Sequence, residues 1–169
     1  MLKRGDIVFI DTNAIAAAHS VKAWAAIRSA FKLVTALVCT EEVTRPNRYG
    51  DVLVEKTAES LAQELEIRIV DDAMRFVLLE KLGEAVALDD GERDLLALAV
   101  AQGRGVWCFC GPDKATLRAL HCLGWADRMV SLEQMMRLVG VDAKGLQRSL
   151  TQSWLEEKRT ILKLGDTQI

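Results

Sequence analysis

The stretch Asp6-Ile7-Val8-Phe9-Ile10-Asp11-Thr12-Asn13-Ala14-Ile15 decides the fold. A short run of β-branched and aromatic residues ends abruptly in Asp-Thr-Asn, and an Ala-rich segment with helical spacing follows. A buried parallel strand reads this way when it delivers a carboxylate to the rim of an α/β sheet, and open α/β sheets bind ligands at the carboxyl ends of their strands. Asp11 therefore stands where chemistry is expected. Asp, Thr and Asn are also good helix caps, and an acid at a helix N-terminus is favoured by the dipole. The functional reading thus depends on other acids repeating the pattern.

Strand and helix signals alternate along the rest of the chain. Residues 6–10 read as a strand, 14–31 as one helix and 32–34 as a short strand. Thr35 is placed to cap a helix over 36–45, which Pro46 ends. A helix over 57–65, a strand over 67–70, and a helix opened by Asp71 or Asp72 and closed by Gly83 come next. Residues 88–102 form the clearest helix after the first, and Asp89-x-x-Glu92 has the spacing of a capping box. A strand over 106–110, a helix over 113–123, a weak strand over 128–130 and a helix over 132–139 capped by Ser131 complete the alternation. Residues 143–164 read as one long helix with a broken apolar stripe of Leu146, Leu150, Trp154 and Ile161. This pattern predicts a three-layer α/β/α sandwich around a mostly parallel sheet of four to five strands. One domain spans 1–140, and 141–169 is a helical extension of it.

Bulk properties narrow the function. The chain has 169 residues, half of them apolar and 27% charged, as in a soluble globular domain with one substantial core. Lys plus Arg total 22 against 24 Asp plus Glu, a net charge of -2. That is no global footprint for duplex nucleic acid, though it leaves room for a local basic patch or a substrate bound through metal ions. Cys39, Cys108, Cys110 and Cys122 form no Cys-x-x-Cys pair, and His19 and His121 stand apart, so no zinc site is expected. Free thiols without a leader segment point to the cytoplasm, and no apolar run approaches the ~20 residues that span a bilayer.

The acids repeat the Asp11 pattern. Asp113 follows the strand over 106–110 after a short turn and opens a helix; Asp94 lies near the start of the helix leading into that strand. Glu41 and Glu42 lie in the helix after Thr35. Carboxylates crowded in space repel one another unless protonated or neutralised. Mg²⁺ or Mn²⁺, which take oxygen ligands, are the usual neutralisers and suit phosphodiester cleavage.

Here the chain resembles the PIN-domain family of metal-dependent ribonucleases. Val8-Phe9-Ile10-Asp11-Thr12-Asn13 looks like that family's opening motif, Asp94-Leu95-Leu96-Ala97-Leu98-Ala99-Val100-Ala101 like its third acidic motif, and Cys110-Gly111-Pro112-Asp113-Lys114 like its fourth. Gly91-Glu92-Arg93 also fits. The resemblance covers residues 6 to about 130. It implies a Mg²⁺- or Mn²⁺-dependent endoribonuclease acting on single-stranded or structured RNA, with Asp11, Glu41, Asp94 and Asp113 holding the metal. Many members are toxins of bacterial toxin–antitoxin pairs, so it also implies a cognate antitoxin and a homodimer as partners. For the second acid, Val38 and Cys39 facing the core favours Glu41, and the pattern leaves Glu42 open. For the third, Glu92 and Asp94 lie about 200° apart on a helical wheel and cannot both point at one site. Glu92 has a structural task in the capping box, so Asp94 is assigned to the metal.

Asn13 is placed to hold Asp11. Arg45, Arg48 and Tyr49 could contact phosphate and stack a base, and Lys114 could meet a phosphate. Two other readings of the chain are a metal-dependent phosphatase, which would need a second acid where Asn13 stands, and a catalytically inactive PIN-like RNA- or protein-binding module.

Overall fold

The computed structural model describes residues 2–46, 50–83 and 86–165. Five strands, β1 (Ile7–Ile10), β2 (Lys32–Ala36), β3 (Glu66–Arg68), β4 (Trp107–Cys110) and β5 (Met129–Val130), form one sheet in the order β3-β2-β1-β4-β5. Every pairing is parallel, so each strand returns through a helical crossover. The helices are α1 (Thr12–Ser20), α2 (Trp24–Ala30), α3 (Leu37–Thr44), α4 (Ala58–Ala62), α5 (Asp72–Leu82), α6 (Asp90–Gln102), α7 (Lys114–Cys122), α8 (Leu132–Leu138) and α9 (Gln152–Lys163). Among the described residues, no helix is long and apolar enough to cross a membrane.

Strand alternation divides the interior into two cores. Phe9, Val34, Trp107 and Phe109 face one way and pack with α5, α6, α7 and α9. Val8, Ile10, Leu33, Cys110 and Val130 face the other way and pack with α1, α2 and α8. This is the expected sandwich, with five parallel strands at its centre.

The structure corrects three expected elements. The helix expected over 14–31 breaks into α1 and α2 without a Gly or Pro. Lys22 takes φ 59°, and the Ala23 N–H bonds the Ala18 carbonyl at 2.8 Å. The break lets Trp24 stack on His19, ring centroids 4.7 Å apart, and donate to Glu64 at 2.7 Å. Thr35 does not cap α3. It is a buried residue of β2, its hydroxyl donating to the Ile10 carbonyl of β1 at 2.8 Å, and Ala36 takes the cap position instead.

The third correction is the long helix expected over 143–164. Gly145 at φ 83° interrupts it, a 3-10 turn follows at Arg148–Leu150, and α9 starts only after the Thr151 cap. The expected apolar stripe is therefore split. Leu150 enters one core, while Trp154, Leu155 and Leu162 enter the other. Arg159 ties α9 to the sheet edge, donating to the Ala126 and Met129 carbonyls beside β5. Trp154→Ala should accordingly destabilise the protein by about 3 kcal/mol in urea unfolding, the usual cost of truncating a buried aromatic.

Candidate active site

Strand order reverses beside β1: the chain steps outward through β2 and β3, then returns to set β4 on the other side of β1. Open α/β sheets bind ligands at such a switch point. Asp11 ends β1 and caps α1, its carboxylate accepting from the Asn13 N–H at 3.2 Å. Asp113 follows β4 and caps α7 through the N–H groups of Ala115 and Thr116. Helix α6 leads back into β4, so it starts at this same edge, with Asp89 and Glu92 in its opening turn. Helix α3 follows β2 and carries Glu42 toward Asp11.

Helices α1, α3 and α6 enclose a cleft of about 510 Å³ bounded by Asp11, Thr12, Asn13, Glu41, Glu42, Arg45, Asp89 and Glu92 among others; Asp113 is not among its lining residues. The Thr12 hydroxyl donates to Glu42 Oε2 at 2.8 Å and joins α1 to α3. The Asp89 N–H donates to Glu92 Oε2 at 3.1 Å, and the Glu92 N–H to Asp89 Oδ1 at 2.8 Å, completing the expected capping box. The Glu92 carboxyl also lies near that of Asp113. Two glycines permit these approaches. A Cβ on Gly111 would stand 3.1 Å from the Asp11 Cβ, and one on Gly91 would stand 3.1 Å from Glu42 Oε2.

The cleft holds its acids against their charge. Burial pushes Asp11 up to about 6; the Asn13 and Thr12 N–H groups oppose this, and the charges of Asp89 and Glu42 add to it. Glu92 is pushed up to about 8, first by burial, then by the neighbouring carboxyl of Asp113 and the charge of Asp89. Arg45 is the basic residue of the lining among the described residues, and Glu41 takes it at 3.2 Å.

Two acids stand otherwise than expected. Asp94 does not face the cleft. It is buried against α5, where Arg75 takes both its oxygens, Nε to Oδ1 at 2.7 Å and Nη2 to Oδ2 at 2.8 Å. The wheel argument that one face cannot present both acids holds, but Glu92 is the one that faces Asp113. A capping acid still has a carboxyl edge to offer. Glu41 lines the rim in its ion pair with Arg45, while Glu42 is the glutamate bonded to Thr12 and felt by Asp11.

The remaining candidates are dispersed. Asn13 is exposed at the cleft and holds Asp11 through its backbone N–H. Arg45 lines the cleft; Lys114 lies outside it, beside Arg148 and Lys158. Arg48 and Tyr49 lie outside the described residues. Among the described residues, no three Asp, Glu, His or Cys side chains form a ready-made metal-holding group. Compared with known proteins, the chain matches no family model, and no match is found among curated proteins.

The buried acid makes a stability prediction. An Asp raised from 3.8 to about 6 by folding stabilises the fold fully below pH 4, and that contribution is lost as the pH rises through 6. In EDTA at pH 8, Asp11→Asn should therefore be more stable than the wild type by about 1–2 kcal/mol, the gain disappearing at pH 4. Urea unfolding at the two pH values checks this; a variant less stable at pH 8 contradicts it.

Proposed function

We propose that the protein is a divalent-metal-dependent ribonuclease of PIN type, with Asp11, Glu42, Glu92 and Asp113 as its acids. The observation that carries the reading is the gathering of these carboxyls at the β1/β4 switch point, where burial and mutual repulsion raise Asp11 and Glu92. Structural acids are ordinarily paired with bases, as Asp94 is with Arg75. Acids left uncompensated in a cleft mark a functional site. The order of motifs along the chain, Asp11, then a glutamate of α3, then α6, then Asp113, supports the family resemblance.

The donor set suits a hard cation in kind, being all oxygen. Mg²⁺ or Mn²⁺, when bound there, would supply positive charge for the phosphate and lower the pKa of water for attack on phosphorus. The protein's own residues prepare that role. Asn13 N–H fixes Asp11, the Thr12 hydroxyl aims Glu42, and burial beside the Asp113 carboxyl favours the protonated form of Glu92. Water attack would leave a 3′-hydroxyl and a 5′-phosphate.

Cleavage of RNA in Mn²⁺ or Mg²⁺ tests the reading, and absence of metal-dependent cleavage in the wild type would sink it. Asp11→Asn, Glu42→Gln and Glu92→Gln should each lower kcat/KM by at least ~10²-fold. Glu41→Gln and Asp94→Asn should keep activity, Asp94→Asn with a lower urea midpoint because Arg75 loses its partner.

Metal affinity should also depend on pH. Glu92 must lose its proton to serve as a ligand, so Mn²⁺ should bind about tenfold or more tightly at pH 8 than at pH 6. Calorimetric titration at the two pH values measures this directly, and equal affinities would remove Glu92 from the ligand set.

A further inference from the structure

We infer that the acid cleft is one end of a track for a single RNA strand, in which a neutral groove takes one unpaired base and a basic patch takes the phosphates beyond it. This rests on the nuclease reading of the cleft and specifies how the substrate lies across it. Three depressions adjoin through shared lining residues. The acid cleft shares Asn13 and Leu53 with a groove of about 360 Å³ along the outer face of α1. That groove shares Gln147 with a depression that contains Lys114, Arg148 and Lys158.

The chemistry changes in step along this path. Ala16 and Ala17 lie three and four residues after Asn13, so they continue its helix face. They give the groove a floor of small side chains, between Leu53 on one side and Leu146 on the other. Every described residue lining the groove is uncharged, so among the described residues a phosphate would find no counter-charge there. A base would find apolar walls and the amides of Asn13 and Gln147 for its polar edge. The volume is at the small end of the range for small-molecule sites, as one base requires.

Beyond Gln147 the charge becomes positive. Arg148 and Lys158 both pair with Glu157, at 2.9 and 3.0 Å, and Lys114 lines the same depression, so among its described lining residues three cations stand against one carboxylate. A polyanion is attracted to such a surplus. The sequence of acids, neutral groove and cations matches a strand whose scissile phosphate is held at the cleft, whose neighbouring base turns into the groove and whose following phosphates reach the patch. A base paired in a duplex cannot enter the groove without leaving its stack.

An abasic scan tests the track. One nucleotide at a time is replaced by an abasic residue along a single-stranded RNA with one cleavage point, and kcat/KM is measured in Mn²⁺ for the wild type and for Ala17→Trp, which fills the groove. In the wild type, one abasic position next to the cleavage point should lower kcat/KM about tenfold, and the same strand in a duplex should be cleaved at least tenfold more slowly. Ala17→Trp should lower kcat/KM about tenfold on intact RNA and abolish the penalty at that position. Lys114→Gln with Arg148→Gln should flatten the salt dependence of KM by a slope of about 1. A flat scan in a wild type that cleaves RNA overturns the track and leaves the nuclease reading standing; a wild type that cleaves no RNA removes both. The scan alters the RNA and not the protein, so it decides the matter even if Ala17→Trp fails to fold.

Discussion

Parallel pairing constrains everything else in this molecule. A strand that must re-enter the sheet in the same direction hands the chain to a helix at its carboxyl end, and the helix carries it back. Helices α1, α3 and α7 therefore begin at one edge of the sheet, and α6, which leads into β4, begins there too. Their first turns contain free N–H groups that favour acidic caps. Asp11, Asp89 and Asp113 are such caps. The fold thus brings acids together by satisfying each helix separately, and the cost appears only when they meet. Burial raises Asp11, and burial beside the Asp113 carboxyl raises Glu92.

That cost separates the acids of the cleft from the other buried acid of α6. Asp94 lies in the same helix as Glu92 and is the more buried of the two, yet its two oxygens receive a bidentate guanidinium from α5. Such a pair holds α5 on α6 and leaves no charge to be neutralised by a ligand. The cleft acids have caps, a threonine hydroxyl and each other. The contrast within one helix, between a compensated acid and an uncompensated one two residues away, is what distinguishes packing from chemistry here.

The C-terminal segment closes the fold by an edge contact rather than by a simple stripe. Leu150 and Trp154 would share a face of a continuous helix, but the chain passes from one side of the sheet to the other between them, so each enters a different core. Arg159 then donates to the carbonyls of Ala126, in the turn before β5, and of Met129, in β5 at the edge of the sheet. The same rearrangement sets Gln147 between the neutral groove and the cationic depression, so a segment whose main task is packing also shapes the surface beside the acid cleft.

Local sequence determined the elements whose signals are local. The apolar run ending at Asp11 specified β1 and its cap, and Asp89-x-x-Glu92 specified a capping box, because both depend on residues within one turn of each other. Alternating elements likewise specified a parallel sheet, since crossovers leave few other arrangements. Tertiary structure decided what depends on partners distant in the chain. Thr35 became a strand residue because the Ile10 carbonyl accepts its hydroxyl, and the first helix broke at Lys22 because Trp24 finds His19 and Glu64. The choice between Glu92 and Asp94 lay with Arg75, nineteen residues before Asp94, and that between Glu41 and Glu42 with Thr12 and Arg45. Helical spacing shows that two acids point apart; only the packed neighbours determine which of them meets a base and which is left facing another acid.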